Sequence, residues 1–136
     1  MAPMQNPIAA AHAPDERPIH RFTIPAKLAK LKMPGFEPVT SVGIVELVAG
    51  EQRMVYKRMK EEDGASTLVA LMTAALRTVN DQSVGVGDGS ADTWVDRGMH
   101  PKVRDLLGAA YRQVNMVDDE SVSDFLQSQT VASGSI

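Results

Sequence analysis

Between Pro101 and Asn115 the chain reads PKVRDLLGAAYRQVN, and Val103, Leu106, Leu107, Ala110, Tyr111 and Val114 recur at steps of three and four. That spacing puts all six on one face of an α-helix. Pro101 suits the first helical position, where its missing N–H forfeits no hydrogen bond. Asn115 ends the pattern. A stripe this long is not stable in water by itself, so the rest of the chain has to give it something to pack on and grip.

The material for that body is restricted. A chain of 136 residues supports one domain. Aromatic residues make up 4% of it, so the core must be built from Leu, Val, Ala and Met. Eight Met favour a malleable core, with a surface that repacks around a partner as the second reading.

Residues 1–20, MAPMQNPIAAAHAPDERPIH, hold four of the eight prolines and no periodic apolar face, which predicts an extended Pro/Ala-rich arm. Residues 21–131 then form a single small globular domain, and 132–136, ASGSI, a C-terminal tail. Phe22 to Ile24 is a short strand candidate. It is followed by a basic patch of Lys27, Lys30 and Lys32, and Pro25, Pro34 and Pro38 break up regular structure there. Residues 41–47 are rich in β-branched side chains and read as the best strand.

A helix is predicted over 49–62, with Val48, Gln52, Val55 and Met59 on one face and Asp63-Gly64 as its stop. Ser66 then caps a second helix, TLVALMTAALRTV, in which Leu68, Met72, Ala75, Leu76 and Val79 keep helical spacing. It is apolar nearly all round and should be the most buried element. Residues 80–92, NDQSVGVGDGSAD, read as a flexible loop with a short strand ending at Val84, and Trp94 as the centre of a brief turn. Asp118 caps a last helix whose buried side is Val122, Phe125 and Leu126, with Asp119 and Glu120 in its positive first turn. The whole predicts an α+β fold, mostly α-helical: short N-terminal strands and about four helices.

A net charge of −3 with no Lys/Arg stripe draws the chain to neither phosphate backbones nor anionic lipid. Arg53, Lys57, Arg58 and Lys60 give a small regulatory nucleic-acid binder its one foothold, and ion pairs with Glu51, Glu61 and Glu62 account for those bases. The absence of cysteine excludes disulfides and thiolate chemistry. The N-terminus lacks a secretion-signal layout, and no apolar run reaches the ~18–20 residues that cross a bilayer.

Reactive constellations are equally thin. His12, His20 and His100 have no partner at a metal-ligand spacing. GVGDG at 85–89 lacks the third glycine of a dinucleotide loop and the lysine of a P-loop. Asp88, Ser90 and Asp92 alternate as calcium ligands do, but the glycine is misplaced and no closing Glu follows. Ser41, Ser66, Ser121 and Ser123 have no elbow sequence and no histidine in reach of a recognisable triad. No catalytic, cofactor or metal residue is therefore assigned. The binding candidates are Trp94, Tyr111, Asp118, Asp119, Glu120 and Phe125. A lone Trp is an anchor or a core plug; Tyr111 is core with its hydroxyl at the rim; the acids are a cap first and a docking patch second.

Two stretches carry a resemblance. SVGIVELVAGEQ followed by KRM, and Trp94 followed by MHPKVRDLLGAAYRQVNMVDDESVSDFLQSQTV, resemble the strand-to-helix junction and the closing helices of tail assembly chaperones and related small baseplate proteins of contractile-tailed phages. The likeness covers about 21–131; the Pro/Ala leader and GVGDGSAD have no counterpart in it. It implies a non-enzymatic role in tail morphogenesis, with the tape-measure protein or baseplate and tube subunits as partners. It implies residence in the host cytoplasm during assembly or in the finished virion.

Overall fold

The computed structural model describes residues 16–61, 67–85 and 87–134. Four antiparallel strands are laid side by side in chain order: β1 (His20–Thr23), β2 (Ser41–Ile44), β3 (Leu76–Val79) and β4 (Gln82–Ser83). A short helix α1 (Ala26–Ala29) lies between β1 and β2. Two longer helices, α2 (Ala49–Glu61) and α3 (Thr67–Ala75), fill the crossover from β2 to β3. After β4 come α4 (Ser90–Thr93), a π-helical turn (Trp94–Gly98), α5 (Pro101–Asn115) and α6 (Asp119–Gly134). The fold is α+β and mostly helical, as the sequence predicts.

The long stripe explains the packing. Val103, Leu107, Ala110 and Tyr111 of α5 are buried, with Leu106 and Val114 packed beside them. They lie against α3, β2 and α1. Every residue of β2 is buried, and Ile44, Leu76, Met99 and Leu107 are the largest side chains wholly shut off from solvent. The core is aliphatic, with Met72 and Met99 inside it.

Several boundaries differ from the sequence expectation, each for a visible reason. The helix expected to run through Val79 stops at Ala75, because Leu76–Val79 pairs with β2 (Val42 opposite Val79, Ile44 opposite Leu76). Leu76 and Val79 fit a helical face by spacing, yet pairing with a buried strand outweighs that weak local preference. β2 ends at Ile44 instead of residue 47. The Val45 N–H still donates to the Ala75 carbonyl at 3.0 Å, after which the chain bonds to a side chain of α5 in place of another strand.

The stretch expected as a loop begins with a two-residue hairpin turn at Asn80 and Asp81, at φ 54° and 64°. Such a turn matches the twist of the strands it joins. Asn80 accepts the Thr40 N–H at 2.6 Å and donates to the Pro38 carbonyl at 3.0 Å, while Asp81 takes both arms of Arg21 from β1. Val84 is buried, and Ser90 opens α4 with its N–H donating to Asp88 Oδ1 at 2.9 Å.

The largest correction concerns α6. Asp118 caps it as expected, accepting the Ser121 N–H at 2.7 Å, but Val122, Phe125 and Leu126 are 41%, 61% and 56% exposed. All side chains at 119–128 are exposed. Three apolar residues at helical spacing define a face; they do not say what covers it. Val48, assigned to the inner face of α2, is likewise exposed, whereas Val55 is buried. The predicted stop at Asp63-Gly64, the Ser66 cap and residues 1–15 of the arm lie outside the described residues.

Candidate interaction surface

Among the described residues, exposed large apolar side chains are Ile19 just before β1, Val48, Met54 and Tyr56 at and just before α2, and Met116, Val117, Val122, Phe125 and Leu126 at the C-terminal end. On α2, Met54, Lys57 and Arg58 follow at i, i+3 and i+4, so they share a face. Across from them stand Thr73 and Ala74 of α3. Between the two helices runs a groove of about 530 Å³. Val55, Thr73 and Ala74 form its floor, and Lys57, Arg58 and Arg77 its basic rim.

Glu51 and Asp92 also line that groove. Glu51 stands three residues after Val48, the residue before α2, and its Oε1 accepts the Val48 N–H at 2.9 Å. This is the returning half of a capping box. The same carboxylate binds Arg17 at 2.5 and 3.0 Å and lies 3.7 Å from Arg77. The Arg17 hydrogen bond, then the Val48 N–H and the charges of Arg17 and Arg77, hold Glu51 below the usual carboxylate range against the opposing effect of burial. Arg17 also donates to the Glu46 carbonyl at 2.7 Å. Glu51 therefore does not neutralise the outer bases of α2, as the sequence reading had it. Arg53, Lys57 and Arg58 are exposed.

The residues singled out from sequence separate into two groups. Trp94 is half-buried and meets Phe36 edge-on, ring centres 5.5 Å apart at 61°. Tyr111 is 3% exposed, and burial pushes its hydroxyl up while a hydrogen bond with Gln52 acts the other way. Tyr111 is thus a core residue, as its place on the stripe predicts, and this removes it from any surface that the folded chain presents. Asp118, just before α6, and Asp119, Glu120 and Phe125 on it are all exposed. Asp118 is held below its ordinary range by the Ser121 N–H it caps.

The groove of α2 and α3 was missed. Met54 falls opposite the expected buried face of α2, and an exposed Met between Arg53 and Lys57 was the available signal. Two of the side chains weighed for chemistry have structural roles. His100 Nδ1 accepts the Lys102 N–H at 3.2 Å at the start of α5. The Asp88 carboxylate is turned onto Ser90, which holds it below its ordinary range. Among the described residues no group of three or more His, Asp or Glu is placed to hold a metal, and no helix is long and apolar enough to cross a membrane. Comparison with known protein families, with curated proteins and with solved structures gives no match.

Proposed function

We propose that this chain is a tail-morphogenesis protein of a contractile-tailed bacteriophage. It would hold other tail proteins, as an assembly chaperone or a small baseplate component, and carry out no catalysis. The observation that carries the reading is α6, a helix whose stripe of Val122, Phe125 and Leu126 is left open to solvent. Contiguous exposed apolar surface on a small protein marks a place where another protein sits. An amphipathic helix with anchors at i, i+3 and i+4 is a standard way to enter a partner's groove. The stretch that contains α6 is also the one whose sequence resembles the close of the tail assembly proteins.

Co-expression with a tape-measure protein tests the chaperone role: the chain should keep it soluble and co-purify with it, and Phe125→Asp should abolish both effects. Mass spectrometry of purified tails separates the two roles, since a chaperone is absent from mature particles and a baseplate component is present in fixed proportion. A tape-measure protein that gains no solubility, together with absence from particles, removes both.

One observation favours a second reading, a nucleic-acid contact: with Glu51 turned onto Arg17 and Arg77, the bases Arg53, Lys57 and Arg58 face solvent. A gel shift at low salt tests it, because phosphate contacts are strongest there. No retardation disposes of it.

A further inference from the structure

The α2–α3 groove and the α6 stripe are both apolar along their length and carry opposite charges beside it. The α2–α3 groove is lined by Met54, Val55 and Ala74 and by three bases, Lys57, Arg58 and Arg77, against two acids, Asp92 and a Glu51 that is bound to Arg17. The α6 stripe is apolar, with Asp118 and Asp119 at i−4 and i−3 from Val122 and so on the same face. Beyond Arg112 the chain has four acids and no base. Among the described residues no α6 side chain lines the groove of its own chain, and Phe125 is 61% exposed.

We infer that α6 of one copy docks into the α2–α3 groove of a second copy, with Val122, Phe125 and Leu126 on the groove floor and Asp118 and Asp119 against Lys57 and Arg58. Knob and hole lie on different parts of one chain, so the contact is head-to-tail. Each molecule that donates its helix still offers an empty groove, and the assembly closes as a ring or grows as a filament, depending on the rotation between copies. Opposite charges steer the encounter and set the direction of the helix, and the apolar side chains hold it. The inference goes beyond the tail reading and does not depend on it: it is measured on the purified chain with no partner present.

Sedimentation velocity of the full chain, from low micromolar to near-millimolar, provides the test. The wild type should associate with rising concentration, and more weakly at high salt. Phe125→Asp and Met54→Asp alter one side chain 61% and one 74% exposed, so both variants should fold, as far-UV circular dichroism will report. Each should weaken self-association at least about tenfold. Mixed in equal amounts they should form a species of two chains and stop there, because one variant keeps only its groove and the other only its helix. A wild type that stays monomeric throughout, association that survives either variant, or variants that fail to complement each other overturns the inference.

Discussion

Asn115 fastens the end of α5 to the rest of the fold, and its removal has a calculable cost. Its side-chain oxygen accepts the Leu47 N–H at 2.7 Å, and its amide nitrogen donates to the Val45 carbonyl at 3.2 Å. One side chain thus ties the end of α5 to the chain between β2 and α2, across about 70 residues of sequence. In Asn115→Ala the Val45 carbonyl, on a residue with no exposed surface, loses that partner, and the half-buried Leu47 N–H must find water. An orphaned buried group costs about 1–3 kcal/mol. Val45 should fall high in that range and Leu47 low, while alanine's better helix propensity returns about 0.5 kcal/mol. The net loss is about 3 kcal/mol, a large share of the ~5–15 kcal/mol available to a domain. Urea unfolding followed by circular dichroism measures it, with Gln113→Ala, an exposed neighbour on the same helix, as the control within ~0.5 kcal/mol of wild type. Asn115→Asp keeps an acceptor for Leu47 but sets a carboxylate oxygen against the Val45 carbonyl, so it should be at least as damaging as alanine. If Asn115→Ala and Gln113→Ala unfold at the same urea concentration, the clamp does not hold the fold and the reasoning fails.

Three further outcomes follow from the same structure. Glu51 is held below its ordinary 4.5, so its contribution is present above that pH and is lost as pH falls through the lowered value; Glu51→Gln should cost about 1 kcal/mol at pH 7, discounted for solvent screening, and progressively less as the pH is taken below 4.5, whereas a gap that does not shrink on acidification would refute the pairing. Gly98→Ala would put its methyl carbon 2.6 Å from Trp94 Cε3 and 2.9 Å from Phe36 Cδ1, so it should cost about 1–3 kcal/mol and shift the emission of Trp94, the single tryptophan; an unchanged spectrum and midpoint would refute the contact. Phe125→Ser should leave the unfolding free energy of dilute monomer within about 0.5 kcal/mol of wild type, and a loss above 2 kcal/mol would place the α6 stripe in a core after all.

What the sequence made legible is what local chemistry decides. The α5 boundaries, from Pro101 to Asn115, follow from a proline at the first helical position and an unbroken apolar period, and both match the structure. The Asp118 cap was equally readable, since a side-chain oxygen bonding an N–H three residues on needs nothing from elsewhere in the chain. The β3–β4 hairpin was not. Its strands are only Leu76–Val79 and Gln82–Ser83, and Leu76 and Val79 satisfy a helical period until β2 comes alongside. The turn residues Asn80 and Asp81 were read as part of a loop, although an Asn-Asp pair tolerates positive φ and is held here by Pro38, Thr40 and Arg21. Those contacts reach across 40 and 60 residues, a distance over which no periodicity carries information.

The same limit separates the two apolar stripes, and it relocates the binding surface. From sequence, α5 and α6 both show hydrophobic side chains at steps of three and four, and the longer stripe is the natural candidate for gripping a partner. In the fold it is consumed internally: Val103 and Leu107 have no exposed surface, and Tyr111 is buried beside them. A side chain already packed on its own chain cannot also pack on another without unfolding something. What stays uncovered is the shorter stripe and the α2–α3 groove, and in the sequence only Met54 between Arg53 and Lys57 pointed to the groove. Phe125 and its two neighbours are 41–61% exposed, so burying the remainder against an occupant returns roughly half of the ~1.5–3 kcal/mol that full burial is worth per side chain, while a short helix in water is marginal without packing. α6 is therefore the element whose order and purpose depend most on what it touches, and the first place where a partner's presence should register.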